Sequence, residues 1–316
     1  METVLITGGT GLVGKALTEA LLERGFHVII LTRNKATGNQ QSTTGKLTYS
    51  EWNIEKQTID KTAIQKADYI IHLAGASVAE KRWTEKRKQE IVSSRVDSGK
   101  LIVESIKTIP NKIKAVISAS AIGWYGADLP SPSGEGLGVR FIETDPVANN
   151  FLGQTCKQWE AAIEPVSFLS KRLVKFRIGI VLSNEGGAFA EFKKPLRFGL
   201  ASILGNGKQV ISWIHIDDLV RAFLFAIDNE EISGTYNAVA PNPVTNKELI
   251  LEIAKKEKGK FFIPIHVPSF ILKIILGEMS VEVLKSATVS AEKIQQAGFI
   301  FQYPVIDSAI LRLLGS

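Results

Sequence analysis

The residues best suited to chemistry stand near the start of the chain. Thr7-Gly8-Gly9-Thr10-Gly11-Leu12-Val13-Gly14 follows the apolar run Val4-Leu5-Ile6 and opens a stretch in which Ala16, Leu17, Ala20 and Leu21 share one helical face. Glycines at this T-G-x-x-G-x-x-G spacing permit a tight turn, close approach of backbone to a pyrophosphate, and close helix–strand packing. The free N–H groups and positive dipole end of the following helix then face the phosphates. The spacing alone is a weak signal; its place between a buried strand and a helix makes it specific. The chemistry implied is dinucleotide binding, with Gly8, Gly9, Thr10, Gly11, Leu12, Val13 and Gly14 as the cradle.

The next apolar run, His27–Thr32, ends Leu31-Thr32-Arg33-Asn34, and the next acidic residue is Glu51. A site selective for NAD places an Asp or Glu at this strand end to accept from the ribose 2′-OH. Arg33, aided by the Thr32 hydroxyl, fits a 2′-phosphate instead. The expected cofactor is NADP(H) in preference to NAD(H). The competing reading of Arg33 is a surface arginine at a strand end.

Positioning these groups requires a strand-and-helix alternation, and the chain carries one. Further strands are predicted at 69–73, 115–118 and 173–178, with helices at 85–106 and 151–163 between them. That order predicts an α/β fold: a Rossmann-type, doubly wound parallel sheet with helices on both faces. The Gly- and Pro-rich segment 127–138 reads as a surface loop. After about residue 241 the character changes. Asn242-Pro243-Val244-Thr245 leads into a helix predicted over 246–258, with further helices near 290–297 and 307–314. Residues 1–240 are expected to form the dinucleotide-binding domain, with a substrate-side segment inserted at about 183–212. Residues 241–316 are expected to form a smaller C-terminal α/β domain on the substrate side.

Composition bounds the partners. The 316 residues are 45% hydrophobic and 22% charged, which excludes wholesale disorder. The single cysteine, Cys156, excludes an internal disulfide and a Cys-cluster zinc site; it fits a reducing, cytoplasmic setting. Met1-Glu2-Thr3-Val4 carries no basic n-region, so no signal peptide is expected, and no apolar run approaches the roughly 18 residues of a membrane span. The net charge of +6 is scattered among acids, as in Glu80-Lys81-Arg82 and Lys255-Lys256-Glu257-Lys258. Mixed-sign faces of this kind are solvated surface, so a small-molecule substrate is expected and a nucleic acid is not.

Taken together these residues resemble the extended, nucleotide-sugar-epimerase type of short-chain dehydrogenases/reductases. His72-Leu73-Ala74-Gly75 is similar to the motif after that family's fourth strand, which implies that Leu73, Ala74 and Gly75 lie beside the adenosine ribose. Ser118-Ala119-Ser120-Ala121-Ile122-Gly123-Trp124-Tyr125-Gly126 resembles the catalytic-serine strand. Arg177-Ile178-Gly179-Ile180-Val181-Leu182 is similar to the stretch passing the nicotinamide, which implies cofactor contacts for Ile180 and Val181. Trp213-Ile214-His215-Ile216-Asp217-Asp218-Leu219 resembles the domain-junction motif. The closer similarity is to an atypical branch, epimerase-like proteins with a C-terminal domain of unknown function. It is carried by Lys81-Arg82-Trp83-Thr84, Ser94-Arg95, Trp159-Glu160-Ala161-Ala162, Pro243-Val244-Thr245-Asn246 and Ala297-Gly298-Phe299, nearly end to end.

One departure matters. The family's usual acid/base pair is Tyr-x-x-x-Lys, in which the lysine lowers the tyrosine pKa. Four residues after Tyr49, Tyr69, Tyr125, Tyr236 and Tyr303 stand Asn53, Leu73, Leu129, Ala240 and Asp307. Aligning Glu160 with the glutamate that follows the pair puts Leu152 and Cys156 at its two positions. The resemblance then leaves Ser120 and Tyr125 as the catalytic candidates, with Tyr125 read either as a substitute acid or as a ring packing the pocket wall. Cys156 reads as a small buried hydrophobe rather than a nucleophile. On the helix that borders the cofactor in this family, Arg95 is expected to neutralise a phosphate. Glu90 is expected to contact a ribose or fix a basic side chain; a surface ion pair is the competing reading for both. His215 with Asp217 and Asp218 reads as a helix cap rather than a metal site, and no metal is expected. The function implied is an NADP(H)-binding oxidoreductase or epimerase acting on a small carbonyl or hydroxyl compound. The missing pair keeps a second reading open, a non-catalytic NADP(H) sensor.

Overall fold

In a computed structural model of the chain, residues 1–33, 45–128 and 140–315 are described. Of the loop expected at 127–138, only Ala127 and Asp128 fall within them. The apolar runs become strands: β1 (Thr3–Thr7), β2 (His27–Thr32), β3 (Leu47–Asn53), β4 (Thr58–Ile59), β5 (Tyr69–His72), β6 (Ala115–Ala121), β7 (Arg172–Ile178) and, later in the chain, β12 (Gly234–Ala238). They form one sheet in the order β12-β7-β6-β5-β1-β2-β3-β4, parallel except where the short β4 turns back on β3. Side chains alternate between faces, as the two-residue strand period requires. Val4, Ile6, Val28, Ile30, Ile71 and Val174 point to one core, beneath helices α1 (Leu12–Glu23) and α6 (Ile216–Asp228). Leu5, Ile29, Leu31, Ile70 and Val116 point to the other, beneath α2 (Lys61–Lys66), α3 (Glu85–Thr108) and α4 (Phe151–Ile163). Burying both faces is what makes these strands read as continuous apolar runs.

The sequence patterns miss three strands of this sheet, the two-residue β4 among them. β3, Leu-Thr-Tyr-Ser-Glu-Trp-Asn, buries only Trp52 fully, and β12, Gly-Thr-Tyr-Asn-Ala, lies at the sheet edge. Neither presents an apolar run, because neither is covered on both faces throughout.

The remaining strands form three two-stranded pairs. β8 (Ile180–Ser183) pairs in parallel with β11 (Trp213–His215); β9 (Leu200–Leu204) pairs in parallel with β14 (Ile263–Val267); β10 (Val210–Ile211) pairs antiparallel with β13 (Val244–Thr245). A third core joins Leu182, Phe189, Leu196, Ala201, Ile203 and Trp213 to Leu249, Ile253, Ile310 and Leu313. Its walls include α5 (Gly187–Lys193), α7 (Asn246–Lys258) and α11 (Ile306–Gly315). Between α7 and α11 come α8 (Ser269–Leu276), α9 (Ser280–Leu284) and α10 (Glu292–Gln296). The segment after β8 therefore shares its core with the C-terminal part of the chain. Among the described residues no helix is long and apolar enough to cross a membrane.

The strand order reverses between β1 and β5, and the two are locked there. Thr7 Oγ1 accepts from the backbone N–H groups of Leu73 and Ala74, each at 3.1 Å, and lies 2.8 Å from His72 Nδ1. With both amides donating to it, the Thr7 hydroxyl gives its own proton to Nδ1. The ring proton is then on Nε2, which faces Ser98 Oγ of α3 at 3.4 Å. His72 is thus held neutral, and burial, with a smaller push from the Arg95 charge, pulls its pKa down to about 4. The unfolded chain binds this proton more readily, so the stabilisation is complete above pH 6.5 and is lost as pH falls toward 4. The difference amounts to about 3 kcal/mol at full protonation. Urea unfolding between pH 7 and 4 should show a His72→Gln variant losing roughly one proton's worth of pH slope relative to the parent. Identical slopes would show that His72 is not held neutral.

Candidate dinucleotide site and the polar network beside it

The glycine turn sits at this strand-order reversal, where ligands of open α/β sheets bind. Gly8 has φ +71°, and a Cβ on it would stand 2.9 Å from the Leu73 carbonyl carbon and oxygen. A Cβ on Gly14 would stand 2.3 Å from the Gly8 carbonyl oxygen. Neither position admits a side chain. α1 begins after Gly11, with no side-chain cap, so the amides of Leu12 and Val13 remain available. Thr10 and Gly11 are exposed.

Other expected residues lie around the turn. Arg33 is exposed just past β2, and its field reaches Glu90. Glu90 accepts from Arg87 Nη1 at 2.7 Å, and chiefly that hydrogen bond holds its carboxyl below the usual range. Of the roles expected for Glu90, fixing a basic side chain is the contact present. Leu73 and Ala74 are tied to Thr7, and Gly75 is exposed. Ile180 is 39% exposed and Val181 half-buried on β8. The connection from β8 to α5 reaches the turn, since a Cβ on Gly187 would be 3.3 Å from Leu12 Cδ2. Arg95 donates from Nη1 to the carbonyls of Ala76 (3.0 Å) and Ile91 (2.9 Å).

The residues expected to be catalytic belong to a buried network. Ser120 donates to Glu160 Oε1 at 2.7 Å, and Arg177 grips Glu160 with two bonds, Nε to Oε1 at 2.8 Å and Nη2 to Oε2 at 3.1 Å. Arg177 Nη1 also donates to the Tyr125 hydroxyl (3.1 Å) and the Glu143 carbonyl (3.0 Å), and the guanidinium lies 3.7 Å from the centre of the Trp124 ring. The Tyr125 hydroxyl donates to Asn237 Oδ1 at 2.7 Å. Tyr125 is fully buried, and desolvation pushes its pKa up to about 12, outweighing Arg177. Tyr125 is sealed from solvent and stacked on Phe141, and its hydroxyl joins the end of β6 to β12, the packing expected of the ring reading. Cys156 lies against the Ala121 carbonyl, and burial raises its thiol pKa to about 12, so it stays neutral.

Arg177 and Glu160 were not anticipated as partners. A signal exists: Lys175 and Arg177 alternate on one face of a buried strand, while Glu160 and Glu164 lie one turn apart on and just beyond α4. The two faces meet, with Lys175 paired to Glu164. His215 caps α6 by accepting the Asp217 N–H at Nδ1 (3.1 Å). Asp218 accepts from the backbone N–H groups of Gln302 and Tyr303, each at 2.8 Å, and pairs with Arg221. Cap and joint account for that cluster. Removing one partner of a buried pair strands the other charge, at a cost of about 3–5 kcal/mol. Arg177→Met should lower the urea unfolding free energy by that order; a loss under about 1 kcal/mol would mean that Glu160 is satisfied without it.

Comparison with known proteins follows this geometry. The model of the NAD dependent epimerase/dehydratase family matches residues 4–150 and 192–238, and a domain of unknown function, DUF1731, matches 267–313. An epimerase family protein of Staphylococcus aureus strain NCTC 8325 is 36% identical over 314 residues, 99% of each chain. The human epimerase family protein SDR39U1 (isoform 2), solved with NADPH, superposes with a TM-score of 0.84 at 26% identity over 99% of each chain. A UDP-glucuronic acid 4-epimerase of Bacillus cereus, solved with NAD, has a TM-score of 0.78 at 18% identity, covering 98% of this chain and 96% of its own, and shares the fold. With the turn at the strand-order reversal and these matches running nearly end to end, the chain belongs to the NAD dependent epimerase/dehydratase family.

Proposed function

We propose that the protein is an NADP(H)-dependent oxidoreductase of the epimerase family acting on a small polar hydroxyl or carbonyl compound. The observation that carries this reading is the turn itself: the space that a Cβ on Gly8 or Gly14 would need is taken by backbone, and uncapped α1 amides face outward. A pyrophosphate fits that cradle. Gly8, Gly9, Thr10, Gly11, Leu12, Val13 and Gly14 would hold it, with Leu73, Ala74 and Gly75 along the adenosine side and Ile180 and Val181 toward the nicotinamide. Arg33 and Thr32 would meet a 2′-phosphate, and the human relative solved with NADPH supports that preference. NADP(H), when bound, supplies or accepts a hydride. Ser120, 2% exposed, keeps its hydroxyl proton on Glu160, so toward a substrate oxygen it would offer an acceptor, which suits a hydroxyl group.

A charge-assisted contact of this kind contributes about 1.5–3 kcal/mol, at least about tenfold in affinity. Fluorescence titration should show NADPH binding at least about tenfold more tightly than NADH, and Arg33→Ala should remove most of that difference. Equal affinities for the two in the parent would sink the NADP(H) assignment. Screening metabolite pools for NADPH or NADP⁺ turnover should uncover a substrate whose turnover falls about tenfold or more in Ser120→Ala, with NADPH affinity held within about twofold. Tight cofactor binding with no turnover in any pool would count against the oxidoreductase reading.

A further inference from the structure

Among the described residues, no carboxylate pairs with the Arg95 cation. Its guanidinium is held firmly, by two backbone carbonyls on Nη1 and by the Trp159 ring, whose centre lies 4.9 Å from Cζ. Nε and Nη2 make no hydrogen bond or ion pair with any described residue, and no carboxylate pairs with Arg95. The neighbouring arginines differ: Arg87 is paired with Glu80 and Glu90, and Arg177 with Glu160. Beside Arg95, the indole N–H of Trp159, a residue 6% exposed, also lacks an acceptor. Gly75 lets the backbone lie close over the guanidinium, since a Cβ there would stand 3.0 Å from Arg95 Cζ and 3.2 Å from Nε.

A half-buried guanidinium without a counter-charge is costly to keep, and two donors on one rigid edge match the two oxygens of a carboxylate or phosphate. We infer that the Nε–Nη2 edge of Arg95, beside Gly75 and over Trp159, is a binding site for an oxyanion, a carboxylate or phosphate group. Desolvation lowers the arginine's pKa to about 10, which leaves it charged at neutral pH. The glycine turn abuts Leu73, whereas Arg95 abuts Gly75 and Ala76 and leans on α4, the side away from β2. That placement favours an anionic group of the substrate over a dinucleotide phosphate. This assignment to the substrate rests on the proposed cofactor cleft; the site itself does not.

The test is calorimetric titration of inorganic phosphate and of malonate into the protein, free and saturated with NADP⁺, for the parent, Arg95→Gln and Arg95→Lys. Arg24→Gln, at a distant ion pair, controls for net charge. Millimolar binding that persists with NADP⁺ bound, falls about tenfold in Arg95→Gln and less in Arg95→Lys, with NADPH affinity unchanged, is the expected result and assigns the oxyanion to the substrate. A comparable fall in NADPH affinity, with anion binding only to the free protein, supports the site but assigns the oxyanion to the cofactor. Unaltered anion and NADPH binding in a folded Arg95→Gln protein overturns the proposal. Should that variant not fold, Gly75→Ser, which crowds the guanidinium against its present seat and leaves the charge, must weaken anion binding for the proposal to stand. NADPH titration of the parent separately tests the proposed function, since phosphate binding to the free protein does not depend on it.

Discussion

Two stretches of backbone meet at the carboxyl ends of β1 and β5 with no room between them for a side chain, and the site depends on that approach. Gly8 lies against the Leu73 carbonyl, and Gly14 folds back onto the Gly8 carbonyl, so the first turn of α1 is drawn down to the sheet. The approach needs a fixed separation between the strands, and the Thr7–His72–Ser98 chain supplies it from below. One threonine hydroxyl serves two amides and a buried imidazole, so the strand ends and α3 cannot shift independently of the turn.

On the far side of the reversal the structure is held by charge rather than by close backbone. Arg177 meets Glu160, Tyr125 and the Glu143 carbonyl, and Asn237 continues the network to the Ser290 carbonyl. The network ties β6, β7, β12 and α4 to the C-terminal segment. A family pattern that placed Tyr-x-x-x-Lys on α4 has Leu152 and Cys156 there instead, both packed near the turn after β6, where a Cβ on Gly123 would meet them at 3.1 and 3.5 Å. The ionic pairing is therefore structural at this point, and on α3 the cation without a described carboxylate partner is Arg95.

Much of this was legible in the sequence, for physical reasons that differ by element. β2, α4 and α7 appear with the expected limits, because continuous burial and strong caps such as the Thr245–Glu248 capping box mark their ends. The glycine turn was legible because backbone geometry restricts those positions to one residue type. β3 and β12 were not, since a strand left uncovered on part of its faces needs no apolar run. The choice between the two readings of Tyr125 was not legible because its motif describes a strand end, whereas its burial depends on Phe141 and Asn237, which are distant in sequence. Arg95 was expected to neutralise a phosphate of the dinucleotide; that no described carboxylate pairs with it, while Arg87 and Arg177 are paired, is a property of the assembled fold.

The central claim, that the turn at Gly8–Gly14 holds a dinucleotide pyrophosphate, has a direct test in Gly11→Asp. Gly11 has φ −79° and is exposed, and a Cβ there would stand 3.3 Å from the Gly8 carbonyl oxygen, so an aspartate fits with a shift of a few tenths of an ångström and caps α1, while its charge occupies the amides and repels phosphate. Stability and binding should move in opposite directions. The account predicts an unchanged or higher Tm together with a loss of NADPH affinity of about 100-fold, roughly 2.7 kcal/mol. NADPH binding that survives this substitution undiminished would contradict it.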